Sequence, residues 1–101
     1  DRNGNTIQLD SSLQANFAIN DIYPNPFNPI TQINFSIPFT SKVNVDIFNL
    51  RGMLISTLVS EVLSNGMHSI RWDASTSPSG VYIVRLSSNN FTSSKKLFLV
   101  K

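Results

Sequence analysis

Tyr23-Pro24-Asn25-Pro26-Phe27-Asn28-Pro29 decides how the rest of the chain is read. It holds three of the five prolines. Each proline fixes φ at about −65° and has no N–H to donate. Asn25 and Asn28 each precede a proline, which pushes both toward extended backbone. No helix runs through such a stretch, and no central strand does either. Tyr23 and Phe27 are nonetheless large side chains that a loose linker has no use for. The segment reads as a stiff lead-in to a packed β-domain, anchored by these two aromatics.

Downstream, the residues alternate. Ile33, Phe35 and Ile37 are interleaved with Gln32, Asn34 and Ser36, and Pro38 ends the run. A period of two marks a strand with one buried face. Val43, Val45 and Ile47 repeat the pattern. Asn49-Leu50-Arg51-Gly52 is a hairpin turn with Gly52 suited to a left-handed position. Met53 to Val59 is the returning strand. Thr57 to Ser64 carries apolar residues at helical spacing, but it is too short for a stable helix, so a loop is expected after Val59. Asn65-Gly66 is a turn. His68, Ile70 and Trp72 share one face of the next strand. Asp73 to Gly80 is a Ser/Pro/Gly loop. Val81 to Leu86 is rich in β-branched and aromatic residues, Ser87 to Asn90 turns, and Phe91 to Val100 closes the domain. Upstream, Phe17, Ile19 and Ile22 give a weak first strand. About seven short strands without helical crossovers predict an antiparallel β-sandwich.

With 101 residues the chain suits one domain. At that size roughly 60–70% of the unfolded surface is buried, enough for a core without staples. The absence of cysteine rules out disulfides and thiolate metal sites. Charged residues are only 14% of the chain, so Asn, Ser and Thr supply much of its polarity. A net charge of +2, with basic residues scattered except at the end, lacks the basic stripe of a nucleic-acid binder. No apolar run is long enough to be a transmembrane segment, and no signal peptide opens the chain. The start, Asp1-Arg2-Asn3-Gly4-Asn5, reads as the interior of a longer protein. Residues 1–14 are expected to be a linker and residues 15–101 the domain. The opening is a poor calcium loop, because Gly4 is misplaced and Ser12 stands where a bidentate Glu is needed.

No residue pattern points to catalysis. His68 is the only histidine and lies on a strand, so it reads as structural. Zinc has no second His and no Cys to bind. There is no Gly-x-Ser-x-Gly elbow, no paired carboxylates and no phosphate loop. Neither metal nor cofactor is expected, and the chain reads as a non-enzyme. Tyr23, Trp72 and Tyr82 offer a sugar-stacking surface, although an alternating aromatic in a small sandwich is ordinarily core. The triplets Asn34-Phe35-Ser36 and Asn90-Phe91-Thr92 match a glycosylation acceptor, a pattern that arises readily by chance.

The tail Lys95-Lys96-Leu97-Phe98-Leu99-Val100-Lys101 is the second informative stretch. As structure it is a closing strand whose lysines discourage edge-to-edge pairing. As function it is a handle that a receptor holds by its terminal carboxylate or by β-augmentation.

An ordered series now resembles a known family. It begins with Tyr23-Pro24-Asn25-Pro26-Phe27-Asn28-Pro29 and Thr31-x-Ile33-x-Phe35-x-Ile37-Pro38. It continues with Val45-x-Ile47-Phe48-Asn49-x-x-Gly52, Gly66-x-His68-x-Ile70-x-Trp72-Asp73 and Ser79-Gly80-Val81-Tyr82-x-x-Arg85-Leu86. It ends with Lys95 to Lys101. This resembles the C-terminal type A sorting domain of the type IX secretion system, and is also similar to the immunoglobulin-like domain of flagellar hook-capping proteins. The resemblance implies an immunoglobulin-like sandwich attached to an upstream cargo domain in secreted proteins of Bacteroidetes-type bacteria. It implies a route through the periplasm, an outer-membrane shuttle protein and a surface sortase as partners, and cleavage within about residues 1–20. Partner binding falls on Gly80, Tyr82, Lys95, Lys96, Leu97, Phe98, Leu99, Val100 and Lys101. Tyr23, Pro24, Asn25, Pro26, Phe27, Gly52 and Trp72 form the structural motif. The competing reading is an accessory β-sandwich, hook-cap-like or carbohydrate-binding.

Overall fold

The alternation in the sequence becomes alternation of burial. In the computed structural model, which describes residues 17–89 and 91–101, Ile33, Phe35 and Ile37 are buried on β2 (Ile30–Ile37), with Gln32, Asn34 and Ser36 on the other face. Val43, Val45 and Ile47 are buried in the same way on β3 (Ser41–Asn49). The other strands among the described residues are β1 (Ala18–Tyr23), β4 (Leu54–Leu63), β5 (Gly66–Asp73), β6 (Gly80–Ser88) and β7 (Phe91–Leu99). The expected linker, residues 1–14, lies outside the described residues.

One sheet has the order β1-β2-β5 and the other β4-β3-β6-β7, with every neighbouring pair antiparallel. Their inner faces share one core of Ile33, Phe35 and Trp72 from the first sheet and Val45, Val84, Leu86 and Leu97 from the second. This is the expected immunoglobulin-like antiparallel β-sandwich. Tyr82 adds a feature of that architecture. It sits near the start of β6, and its hydroxyl donates back to the Pro78 carbonyl at 2.6 Å, as a tyrosine corner does.

The turn at Asn49-Leu50-Arg51-Gly52 forms as read. Gly52 has φ 84°, and its N–H donates to the Asn49 carbonyl at 3.0 Å. β4 corrects the sequence reading, since it runs to Leu63 instead of ending near Val59. Its pairing with β3 continues to Ser41↔Leu63 through two register irregularities. Each extra residue slips the in–out alternation. The irregularity beside Leu58 lets both Leu58 and Val59 pack on the core, whereas the regular ladder beyond them turns Val62 to solvent opposite Lys42 and Leu63 inward opposite Ser41. A second correction concerns the two expected anchors. Phe27 is 3% exposed, whereas Tyr23 is 75% exposed. Tyr23 closes β1 on the solvent side, and Phe27 alone enters the core.

Candidate functional site

Tyr23 to Pro29 leaves the first sheet at the end of β1, crosses to the second, and returns to begin β2. All three Xaa–Pro bonds in it are cis. Pro24 and Pro26 lack N–H groups, so this crossing cannot pair with a strand along its whole length. Its bonding comes from Asn25 and Phe27. The Phe27 N–H donates to the Phe98 carbonyl and the Phe27 carbonyl accepts from the Val100 N–H, both at 2.9 Å. Two residues earlier the Asn25 carboxamide repeats this arrangement. Its Nδ2 donates to the Lys96 carbonyl at 3.1 Å, and its Oδ1 accepts from the Phe98 N–H at 2.9 Å. A carboxamide carries the same donor and acceptor as a peptide group. The segment is therefore a short strap along the outer edge of β7, half backbone and half side chain.

Beneath the strap lies an aromatic column. The Phe27 ring packs against Trp72 at 5.6 Å between centroids, and Trp72 meets Tyr82 edge-on at 5.3 Å. Tyr82 is paired with Leu97 across β6 and β7, and Gly80 with Leu99. The strap is tied at its two ends as well. The Thr31 hydroxyl donates to the Pro24 carbonyl at 2.6 Å, and the Ala74 N–H donates to the Pro29 carbonyl at 2.9 Å. Replacing Tyr82 by Phe removes only the hydroxyl bond to Pro78. The expected cost is about 1 kcal/mol, a fall in Tm of about 4–8 °C. A thermal unfolding curve identical to that of the parent would show that the bond contributes nothing.

The end of the chain meets the loop before β6. The Lys101 N–H donates to the Ser79 hydroxyl at 3.0 Å, and its ammonium donates to the Ser75 carbonyl at 2.7 Å. That loop is ordered by Asp73. The Ser75 hydroxyl and N–H both donate to its carboxylate and hold its pKa below the ordinary value. Gly80 leaves the loop with φ 155°, and a Cβ there would meet nothing within 4 Å, so backbone conformation and not space calls for glycine.

The residues singled out in the sequence are thus mostly gathered at one place. Asn25, Phe27, Trp72, Gly80, Tyr82 and Lys96 to Lys101 adjoin one another. Pro24 and Pro26 frame Asn25. Lys95 lies just beyond the strap and is exposed. Gly52 stands apart at the β3–β4 turn. Leu97 and Leu99 point into the core, whereas Phe98 is 41% and Val100 56% exposed. Only half of the apolar tail is therefore available to a partner as side chains.

The supposed sugar-stacking surface is not assembled, because Trp72 and Tyr82 are core residues and Tyr23 is outside. His68 stacks on Phe35 at 5.6 Å and bonds the Ser64 carbonyl at 2.7 Å through Nε2, as its structural reading expects. Among the described residues no cluster of His, Asp or Glu is fit to hold a metal ion, and no helix is long and apolar enough to cross a membrane. Sequence reasoning missed the pairing of Asn25 with β7, and with it Ser75 and Ser79 as holders of Lys101. The one signal for Asn25 was its place between two prolines, where its side chain carries the bonding that the backbone cannot.

A family model described as the secretion system C-terminal sorting domain matches residues 21–101, which is most of the chain and includes the strap, the aromatic column and β7. No curated protein and no solved structure matches.

Proposed function

The chain belongs to the family of secretion system C-terminal sorting domains, and from that membership we infer how it serves its cargo. It is a sorting signal for type IX secretion and belongs to a secreted or cell-surface protein. We infer that the cargo precedes it through a linker within residues 1–14, and that the whole travels by way of the periplasm. Its partners there are an outer-membrane shuttle protein and, at the surface, a sortase that cuts within about residues 1–20. The domain contributes recognition and no reaction of its own. The surface read by the machinery is β7 with the residues against it: Gly80, Tyr82 and Lys95 to Lys101.

One observation favours this surface over any other on the sandwich. Asn25, Phe27, Gly80 and Tyr82 come from distant parts of the chain and all bond or pair with β7, and Trp72 packs between Phe27 and Tyr82 beside them. They present Phe98 and Val100 outward and keep Leu97 and Leu99 in the core. Nothing comparable supports a carbohydrate-binding or hook-cap-like role. A reporter joined to residues 1–101 is expected to reach the surface or medium of cells that carry the type IX machinery. It is expected to remain periplasmic in cells without that machinery. Equal delivery in both would refute the assignment.

A further inference from the structure

β7 has two edges, and only one is used by β6. The register pairs Phe91, Ser93, Lys95, Leu97 and Leu99 with Ser88, Leu86, Val84, Tyr82 and Gly80. In an antiparallel ladder the N–H and C=O of a residue point to the same side, and alternate residues face opposite sides. The strap confirms the parity, since it bonds Lys96, Phe98 and Val100. Thr92, Ser94 and Lys96 therefore turn backbone groups away from β6. Among the described residues, nothing bonds the outward groups of Thr92 and Ser94 or the Lys96 N–H. This unbonded stretch, with β1 packed near it without pairing, is bounded at one end by Phe17, whose ring stacks on Phe91 at 5.1 Å. At the other end it is bounded by the Asn25 carboxamide.

The two halves of the strap are not held equally. Phe27 is fixed by its buried ring. Asn25 reaches the edge by a side chain that leaves on rotation of its own torsions, with no movement of the backbone. When it leaves, the Lys96 carbonyl and the Phe98 N–H join the open groups, and the free edge runs without a break from Thr92 to Phe98. Lys95 and Lys96 are exposed beside it. An edge with free donors and acceptors and two lysines suits an extended segment with acidic side chains.

Resting on the reading of the chain as a sorting signal, we propose that the Thr92–Phe98 edge of β7 is a strand-addition site for an extended acidic segment of the export machinery, with the Asn25 carboxamide as a displaceable cover and Phe27 as its fixed stop. Capture starts at the open groups of Thr92 and Ser94 and proceeds by exchange of Asn25 for a true backbone partner. The domain stays folded throughout, because no residue has to leave the core.

Amide hydrogen exchange on the free chain is the first test. The Thr92, Ser94 and Lys96 amides should exchange quickly, and Val100 slowly. Asn25→Ala should speed exchange at Phe98 by about tenfold and leave Val100 unchanged. Protection of Ser94 in the free chain would mean that the edge is already occupied, and the proposal fails. Delivery of the reporter fusion is the second test. Ser94→Pro removes the outward N–H and leaves the β6 pairing intact, so delivery should slow by about tenfold or more. Asn25→Ala should quicken it, and Lys95→Glu with Lys96→Glu should slow it. For the unmodified chain held by the machinery, new protection at Ser94 and Lys96 is expected, a readout that needs no variant to fold. Full delivery of a folded Ser94→Pro chain, or no new protection on capture, overturns the proposal. If Phe98→Asp with Val100→Asp still abolishes delivery, the sorting reading survives that failure. If that variant is delivered too, the β7 reading falls with it.

Discussion

A chain ending at Lys96 is expected to lose both its fold and its delivery. The five residues removed include Leu97 and Leu99, which are fully buried, or nearly so, opposite Tyr82 and Gly80. Losing a buried leucine costs about 2–5 kcal/mol. The strap also loses both Phe27 bonds and the Asn25 bond to the Phe98 N–H, at about 1 kcal/mol each. Against a total stability of about 5–15 kcal/mol, no cooperative unfolding transition should remain. A reporter carried by the shortened chain should stay in the periplasm. A sharp thermal transition would contradict the placement of both leucines. Loss of export from this truncation cannot by itself distinguish a missing handle from a missing fold, and the outward residues of β7 separate the two.

Phe27→Ala should be nearly as damaging. The ring is 3% exposed and packs on Trp72, so its removal leaves a cavity between the sheets at an expected cost of about 3–5 kcal/mol. Tm should fall by roughly 4–8 °C for each of these. The damage should also spread along the chain, because Phe27 holds the Phe98 carbonyl and the Val100 N–H. Hydrogen exchange at Val100 should rise well beyond the general loss of stability. Tyr23→Ala is the matched control: an exposed ring in the same segment should change Tm by no more than a few degrees. Equal effects at Tyr23 and Phe27 would deny that one anchor is inside and the other outside.

Much of the fold was legible because strands announce themselves by period. Ile33/Phe35/Ile37 and Val43/Val45/Ile47 fall on the inner faces, and Gly52 takes the left-handed turn. The end of β4 was not legible, because an edge strand that buries only Val59 and leaves Val62 in solvent shows no clean alternation. Tyr23 and Phe27 look alike in sequence. What separates them is position: Tyr23 ends β1 on the solvent side, and the strap then carries Phe27 between the sheets. The site was half legible. Its apolar tail was visible, but only the sheet shows that Leu97 and Leu99 face inward and Phe98 and Val100 outward. The partnership of Asn25 with Lys96 and Phe98 joins positions more than seventy residues apart. No local pattern carries such a relation.

Phe98→Asp combined with Val100→Asp tests most directly whether β7 is what the export machinery reads. Both side chains point outward, so the variant should unfold within a few degrees of the parent. Reporter delivery should nonetheless fall to the level seen without the domain. A folded double variant that reaches the cell surface at the parental rate would contradict the assignment of this strand as the surface that is read.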